Sequence, residues 1–111
     1  MTIPEAEALT LHDLITQTEH GIASRVLARS AGGNVTLFAF EAGQGLTEHT
    51  TAFDALALVL SGSLTLTING ADIEADEGTI TRLPANVPHA VAAPEAARML
   101  LIMLKDLQAQ P

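Results

Sequence analysis

Cysteine, tryptophan and tyrosine are absent from this chain of 111 residues, and basic residues are scarce. Without cysteine there are no disulfides, no thiolate metal sites and no cysteine nucleophile, so any metal must be held by His, carboxylate or hydroxyl groups. Aromatic surface is limited to Phe38, Phe40 and Phe53, a poor supply of stacking platforms for bases or sugars. Lys and Arg number 5 against 13 Asp and Glu, a formal charge of −8. That excess repels phosphate backbones and anionic lipid, and Arg25, Arg29, Arg82, Arg98 and Lys105 form no basic run. The expectation is a protein that binds neither nucleic acid nor membrane, its acidity serving solubility.

Long apolar runs are also missing. Apolar residues make up 48% of the chain, yet none approaches the roughly 18 uninterrupted residues that a spanning helix needs. The first residues, MTIPEAEALTLHD, carry acids and no basic cluster ahead of an apolar run, which predicts neither a signal nor a transit peptide and makes cytoplasmic residence the default. There is no phosphate-cradling G-x-G-x-x-G or G-x4-G-K-[ST], no H-E-x-x-H and no G-x-S-x-G. Ser24, Ser30, Ser61 and Ser63 have no His spaced to activate them, which argues against a serine hydrolase. The length suits one domain with a real core.

What is present is mainly β pattern. Residues 10–18 read as a short helix, with Thr10 and Asp13 resembling a capping box and Leu11, Leu14 and Ile15 on one face. From Gly21 the period changes to two, and nine strands are predicted, over residues 24–29, 34–41, 46–51, 55–60, 63–69, 71–75, 79–83, 89–92 and 98–104. Asn69-Gly70 is a type I′ hairpin dipeptide, and Ser61-Gly62 marks another tight turn. Leu64, Leu66 and Ile68 alternate with Ser63, Thr65 and Thr67, giving one packing face and one wet face. Residues 55–60 and 99–104 are apolar on both faces, which calls for a cover on the second side. A homodimer supplies it, or else the helix at 10–18. The chain divides into an N-terminal extension (1–20), a β domain (21–104) and a tail (105–111).

Two stretches read as halves of one site: Gly43-x5-His49 running on to Gly62, and Gly78-x5-Pro84-x-Asn86-x2-His89. Their order and spacing resemble the two motifs of the cupin family, G-x5-H-x-H-x3,4-E-x6-G and G-x5-P-x-G-x2-H-x3-N. The resemblance covers roughly Gly43 to Ala93 and implies an all-β fold, a jelly-roll-like antiparallel barrel. In cupins that bind a metal, the ligands are the two His and the Glu of the first motif and the His of the second. Those positions here are His49, Thr51, Ala55 and His89, so two of the four ligands are missing. The motif glycine is Asn86 and the final Asn is Ala93.

In such a barrel His49 and His89 converge inside, with Thr51, Ala55, Ala57 and Val59 also directed inward. None of these inward positions is a carboxylate, which leaves a glycosidase acid–base pair without a place. Two imidazoles alone do not complete a metal site. Asp54 adjoins the position of the family's Glu, and a local shift would complete a two-His-one-carboxylate set for Fe, Mn, Ni or Zn; its ordinary role is a turn residue bonding nearby backbone. Glu48, next to His49, is expected on the opposite face. His12 and His20 match no motif and are expected to face solvent, while Pro84 and Pro88 shape the loop before His89. Three readings stay open: a barrel binding a small organic molecule at His49 and His89, a metal-dependent enzyme such as a dioxygenase or isomerase, and a non-catalytic dimeric module filled by its own side chains.

Overall fold

The strand period that begins at Gly21 folds into two facing antiparallel sheets in the computed structural model, which describes residues 2–17 and 21–105. The strands are β1 (Ile22–Ser30), β2 (Gly33–Phe40), β3 (Gly45–His49), β4 (Asp54–Ser61), β5 (Ser63–Ile68), β6 (Ala71–Asp76), β7 (Ile80–Leu83), β8 (His89–Ala92) and β9 (Ala97–Leu104). One sheet has the order β1-β2-β9-β4-β7 and the other β3-β8-β5-β6. Among the described residues no ladder joins the two sheets, so the expected barrel takes the form of two apposed layers and not a closed ring.

Alternation within each strand makes the shared core. Phe40, Val59 and Met99 from the five-stranded sheet meet Leu64, Leu66 and Val91 from the four-stranded one. Leu64, Leu66, Phe40 and Met99 are 0% exposed, and burying one such side chain contributes roughly 1.5–3 kcal/mol. The wet face of β5 behaves as its sequence indicates: Thr65 and Thr67 donate hydroxyl hydrogen bonds to Glu74 (3.0 Å) and Asp72 (2.7 Å).

Two turns are set by backbone geometry that side chains resist. Asn69 and Gly70 have φ of 51° and 81°, the two positive values that a type I′ hairpin requires. Gly62 has φ of 72° and carries the chain from β4 in one sheet to β5 in the other. It is a corner between layers, and a Cβ there would collide with the Ala96 carbonyl oxygen and with Ala97.

The N-terminal helix is not formed as expected. Its described part is a 3-10 turn at Leu11–Leu14, Thr10 makes no side-chain cap, and Ile15 is already extended at φ −147° and ψ 142°. Short isolated helices are marginal, and the extended path lets Ile3, Leu14 and Ile15 pack on Leu27, Leu37 and Ala39 on the outer face of the five-stranded sheet. The segment is a strap, sewn down by Ile3 N–H to Leu27 O (2.8 Å), Gln17 Nε2 to Phe40 O (2.6 Å) and Arg25 Nη1 to Leu14 O (3.1 Å). Thr18 and His20, and the tail beyond Lys105, lie outside the described residues.

Bulges adapt the sheet to this strap. The β1–β2 register slips between Val26 and Ala28, and the β4–β9 register between Val59 and Ser61. The extra residues are Leu27 and Leu60, and both join the cluster under the strap. The cover is partial: Leu56, Leu58 and Ile102 are half-buried, and Ile80 and Leu104 are exposed at 59% and 47%. No helix among the described residues is long and apolar enough to cross a membrane.

Candidate functional site

The pairing of β3 with β8 decides which side chain stands beside His89. Gly45 pairs with Ala92 and Leu46 with Val91, but the next pair is His49 with His89. An unbroken register would set Glu48 against His89, because Glu48 shares the parity of Leu46. A bulge at Thr47 and Glu48 inserts one residue, leaves Glu48 exposed and brings His49 onto the face of Leu46. An imidazole therefore occupies the place that simple alternation assigns to a carboxylate.

The two rings meet edge to face, with centroids 4.4 Å apart and planes at 68°. His89 is 5% exposed, while His49 is exposed. His49 Nδ1 lies 2.9 Å from Thr47 O and His89 Nδ1 lies 3.2 Å from Val87 O. A carbonyl oxygen only accepts, so each Nδ1 is placed to donate, and a ring that donates there in its neutral form keeps its Nε2 lone pair. Burial holds the His89 imidazolium below its ordinary acidity range; the Val87 carbonyl opposes this, and the adjacent His49 adds to it. The pair thus presents hydrogen-bond acceptors from a ring that resists protonation.

The loop that delivers His89 is fixed from three sides. Ala85 N–H donates to Asp54 Oδ1 (2.8 Å), Asn86 N–H to Thr51 O (2.7 Å), and Asn69 N–H to Pro88 O (2.8 Å). Asn86 has φ of 63°; asparagine tolerates this left-handed conformation, which explains how it replaces the motif glycine. Asp54 Oδ2 also accepts from Arg82 Nε at 2.8 Å, with Arg82 Nη2 beside it. The Ala85 hydrogen bond first, then Arg82, hold the Asp54 carboxyl below the usual range.

The candidate site residues from the sequence now have places. His49 and His89 are brought together. Asp54 is tied to Ala85 and Arg82, and Thr51 donates its hydroxyl to Phe53 O at 2.8 Å. Ala55 and Ala57 face inward but are 2% and 1% exposed, packed with Leu83 and Val91 as part of the core. Two hollows, of about 320 and 270 Å3, lie elsewhere, and neither is lined by His49 or His89. The two hollows are therefore separate from the histidine pair, and the inward alanines near it belong to the packed core. Sequence reasoning overlooked Arg82 and the Thr47 and Val87 carbonyls, for which only the alternation rule and the paired prolines offered any signal.

The metal that the fold implies does not fit the donors present. Among the described residues no group of three or more His, Cys, Asp or Glu converges. Two imidazoles without a third donor fall short of the usual protein contribution, and the nearest carboxylate in sequence is engaged by a backbone amide and a guanidinium.

Comparison with known proteins gives the frame. A family model described as a cupin domain matches residues 36–104. A conserved protein of unknown function from Streptococcus pyogenes is 31% identical, with 96% of this chain and 93% of that chain covered and a TM-score of 0.88. A cupin superfamily protein from Desulfitobacterium hafniense is 30% identical over 96% of this chain and 97% of its own, with a TM-score of 0.87. A cupin 2 conserved barrel domain protein from Leptotrichia buccalis is 34% identical over 87% of this chain and 47% of its own, with a TM-score of 0.83. No curated protein matches. With the motif spacing, the paired histidines and the facing sheets all in agreement, this chain belongs to the cupin domain family.

Proposed function

We propose that this protein binds a small neutral organic molecule at the rim formed by His49 and His89, without a metal of its own. One observation carries this reading: both Nδ1 atoms are engaged by carbonyl oxygens, which turns two adjacent Nε2 lone pairs into acceptors. A ligand with two neighbouring O–H or N–H groups satisfies both. Its apolar body meets Ile68, which pairs with His89, and Ile73, which is 41% exposed on the same sheet. The ligand stays outside the space packed by Leu66, Ala55 and Ala57.

Ring nitrogen spectra of the full chain test this directly. Both histidines are expected as the Nδ1–H tautomer at neutral pH, and a panel of neutral diols and phenols is expected to shift both Nε2 resonances, with no shift in His89→Ala. An Nε2–H tautomer at either ring contradicts the reading. Elemental analysis after challenge with Fe, Mn, Ni and Zn is the companion measurement. About one metal per chain, lost in His89→Ala, transfers the site to the metal-dependent enzyme class, and His49, His89 and Asp54 then become the ligands to substitute.

The proposal includes a second copy of the chain on the outer face left open by the strap. Leu56, Leu58 and Ile102 form adjoining apolar rows in the sheet, with Ile80 beside them on its edge strand. An apolar face of this kind beside a polar rim suits self-association. Ile80→Glu is expected to convert a dimer to a monomer by light scattering; a wild-type monomer at all concentrations removes this part of the proposal.

A further inference from the structure

On the opposite side of the five-stranded sheet from the interior, the strap roofs a hollow of about 270 Å3 lined by Leu11, His12, Leu37, Leu60, Ser61 and Arg98. Its walls are chemically divided. Leu37 is 1% exposed, Leu60 is half-buried at its bulge, and Leu11, at 39% exposure, comes from the strap. The polar end is Arg98 with Ser61, which pair across β9 and β4. Arg98 Nη1 donates to His12 O at 2.9 Å, which holds the guanidinium beneath the strap.

A guanidinium has five N–H donors in a planar fork, and this bond uses one. Among the described residues no carboxylate lies within 4.0 Å of Arg98. Acids outnumber bases by 13 to 5 in this chain, so a half-buried cation against leucine side chains with no carboxylate in ion-pair range is the reverse of what composition favours. An external anion would satisfy the donors that this bond leaves over, and the leucine wall suits an anion that carries an apolar body. At about 30 Å3 per heavy atom, the share of a water molecule in the liquid, the hollow holds on the order of nine non-hydrogen atoms.

We propose that this hollow binds a small apolar monocarboxylate, its carboxylate on the Arg98 fork beside Ser61 and its hydrocarbon body between Leu11, Leu37 and Leu60. The site is independent of the histidine pair, since Arg98 and Met99 point to opposite faces of β9 and the histidines belong to the other sheet. Occupancy clamps the strap, because Leu11 and His12 form part of the wall.

The test is a titration of the full chain with hexanoate and benzoate, and with neutral hexanamide, followed by backbone amide shifts and calorimetry. Saturable binding of one carboxylate per chain is expected, with shifts at Leu11, His12, Ser61 and Arg98. Arg98→Gln is expected to weaken it about tenfold or more, as loss of a charged hydrogen-bond partner implies. His89→Ala leaves it unchanged, and hexanamide binds at least about tenfold more weakly. Leu11→Asp places a like charge on an exposed part of the roof without touching the sheet, and it too abolishes binding, which covers the case of an Arg98 variant that does not fold. Absence of saturable binding up to the solubility of the acids overturns the proposal. So does equal affinity for acid and amide, equal affinity in Arg98→Gln and Leu11→Asp, or loss in His89→Ala in place of these variants.

Discussion

His49 and His89 face each other across the β3–β8 ladder with ring centroids 4.4 Å apart because one extra residue is inserted between the Leu46–Val91 pair and their own. The bulge exchanges Glu48 for His49 at the inner face. Without it His89 would lie beside a carboxylate, which favours the imidazolium; with it, the neighbour is a second imidazole, and burial lowers the affinity of the His89 ring for a proton.

That arrangement predicts a pH dependence of stability. His89 has its folded acidity lowered from 6.5, so the folded state binds fewer protons than the unfolded one between the two values. Its contribution is fully present above 6.5 and is lost as the pH falls through the folded value. The wild-type Tm is expected to decline as the pH drops below 6.5, and His89→Gln to show a flatter profile in that window. Parallel profiles for the two proteins would contradict the assignment.

Asp54 acts lower on the pH scale. Its carboxyl is held below 3.8 in the folded state, so its contribution is present above 3.8 and disappears as the pH falls through the folded value. At neutral pH, Asp54→Ala is expected to lower Tm more than Arg82→Ala. Only the Asp54 change leaves the Ala85 amide without its partner and releases the loop before His89. The same variant should shift the His89 ring resonances, whereas Arg82→Ala should leave them in place.

Gly62→Ala is expected to destabilise the fold by about 2 kcal/mol or more, from left-handed backbone strain plus the collision with Ala96 and Ala97. Gly70→Ala is the control. It shares a positive φ of 81° but has nothing within 4 Å of an added Cβ, so its loss is confined to strain. Denaturant melts that rank the two in the reverse order would show that the corner between the sheets is not a tight point of the structure.

Leu66→Ala, at 0% exposure between the sheets, is expected to cost about 2–5 kcal/mol. Ile73→Ala, at 41% exposure on the edge strand β6, should stay within about 0.5 kcal/mol of wild type. Urea unfolding of both variants gives the comparison. A small effect at Leu66 would mean that the interior is less filled than its burial indicates, and would return the space beneath the histidines to use as a pocket.

Much of the β domain was legible because its signals are local. Alternation marked each strand, and Asn69-Gly70 marked its hairpin, since both depend only on neighbouring residues. The motif spacing likewise located His49 and His89. Legibility ended where a choice depended on distant partners. Residues 10–18 have acceptable helical spacing, yet within the described part only a 3-10 turn forms at Leu11–Leu14, and packing of Leu14 and Ile15 on Leu27, Leu37 and Ala39 favours an extended path from Ile15 onward. Asp54 has the right chemistry for a ligand, but Ala85 and Arg82, far along the chain, claim both its oxygens.

The sequence by itself determined an acidic, cysteine-free, all-β chain with two histidines in the spacing of the cupin motifs, because composition, period and spacing are properties of the chain alone. Only the tertiary structure decided that these histidines stand ring to ring across the β3–β8 ladder and that Ala55 and Ala57 are closed into the core. It also placed Arg98 beneath the strap among leucines. Register is the physical reason. A one-residue slip turns side chains to the other face of a sheet: the slips at Leu27 and Leu60 place leucines in the cluster under the strap, and the slip at Glu48 sets His49 opposite His89.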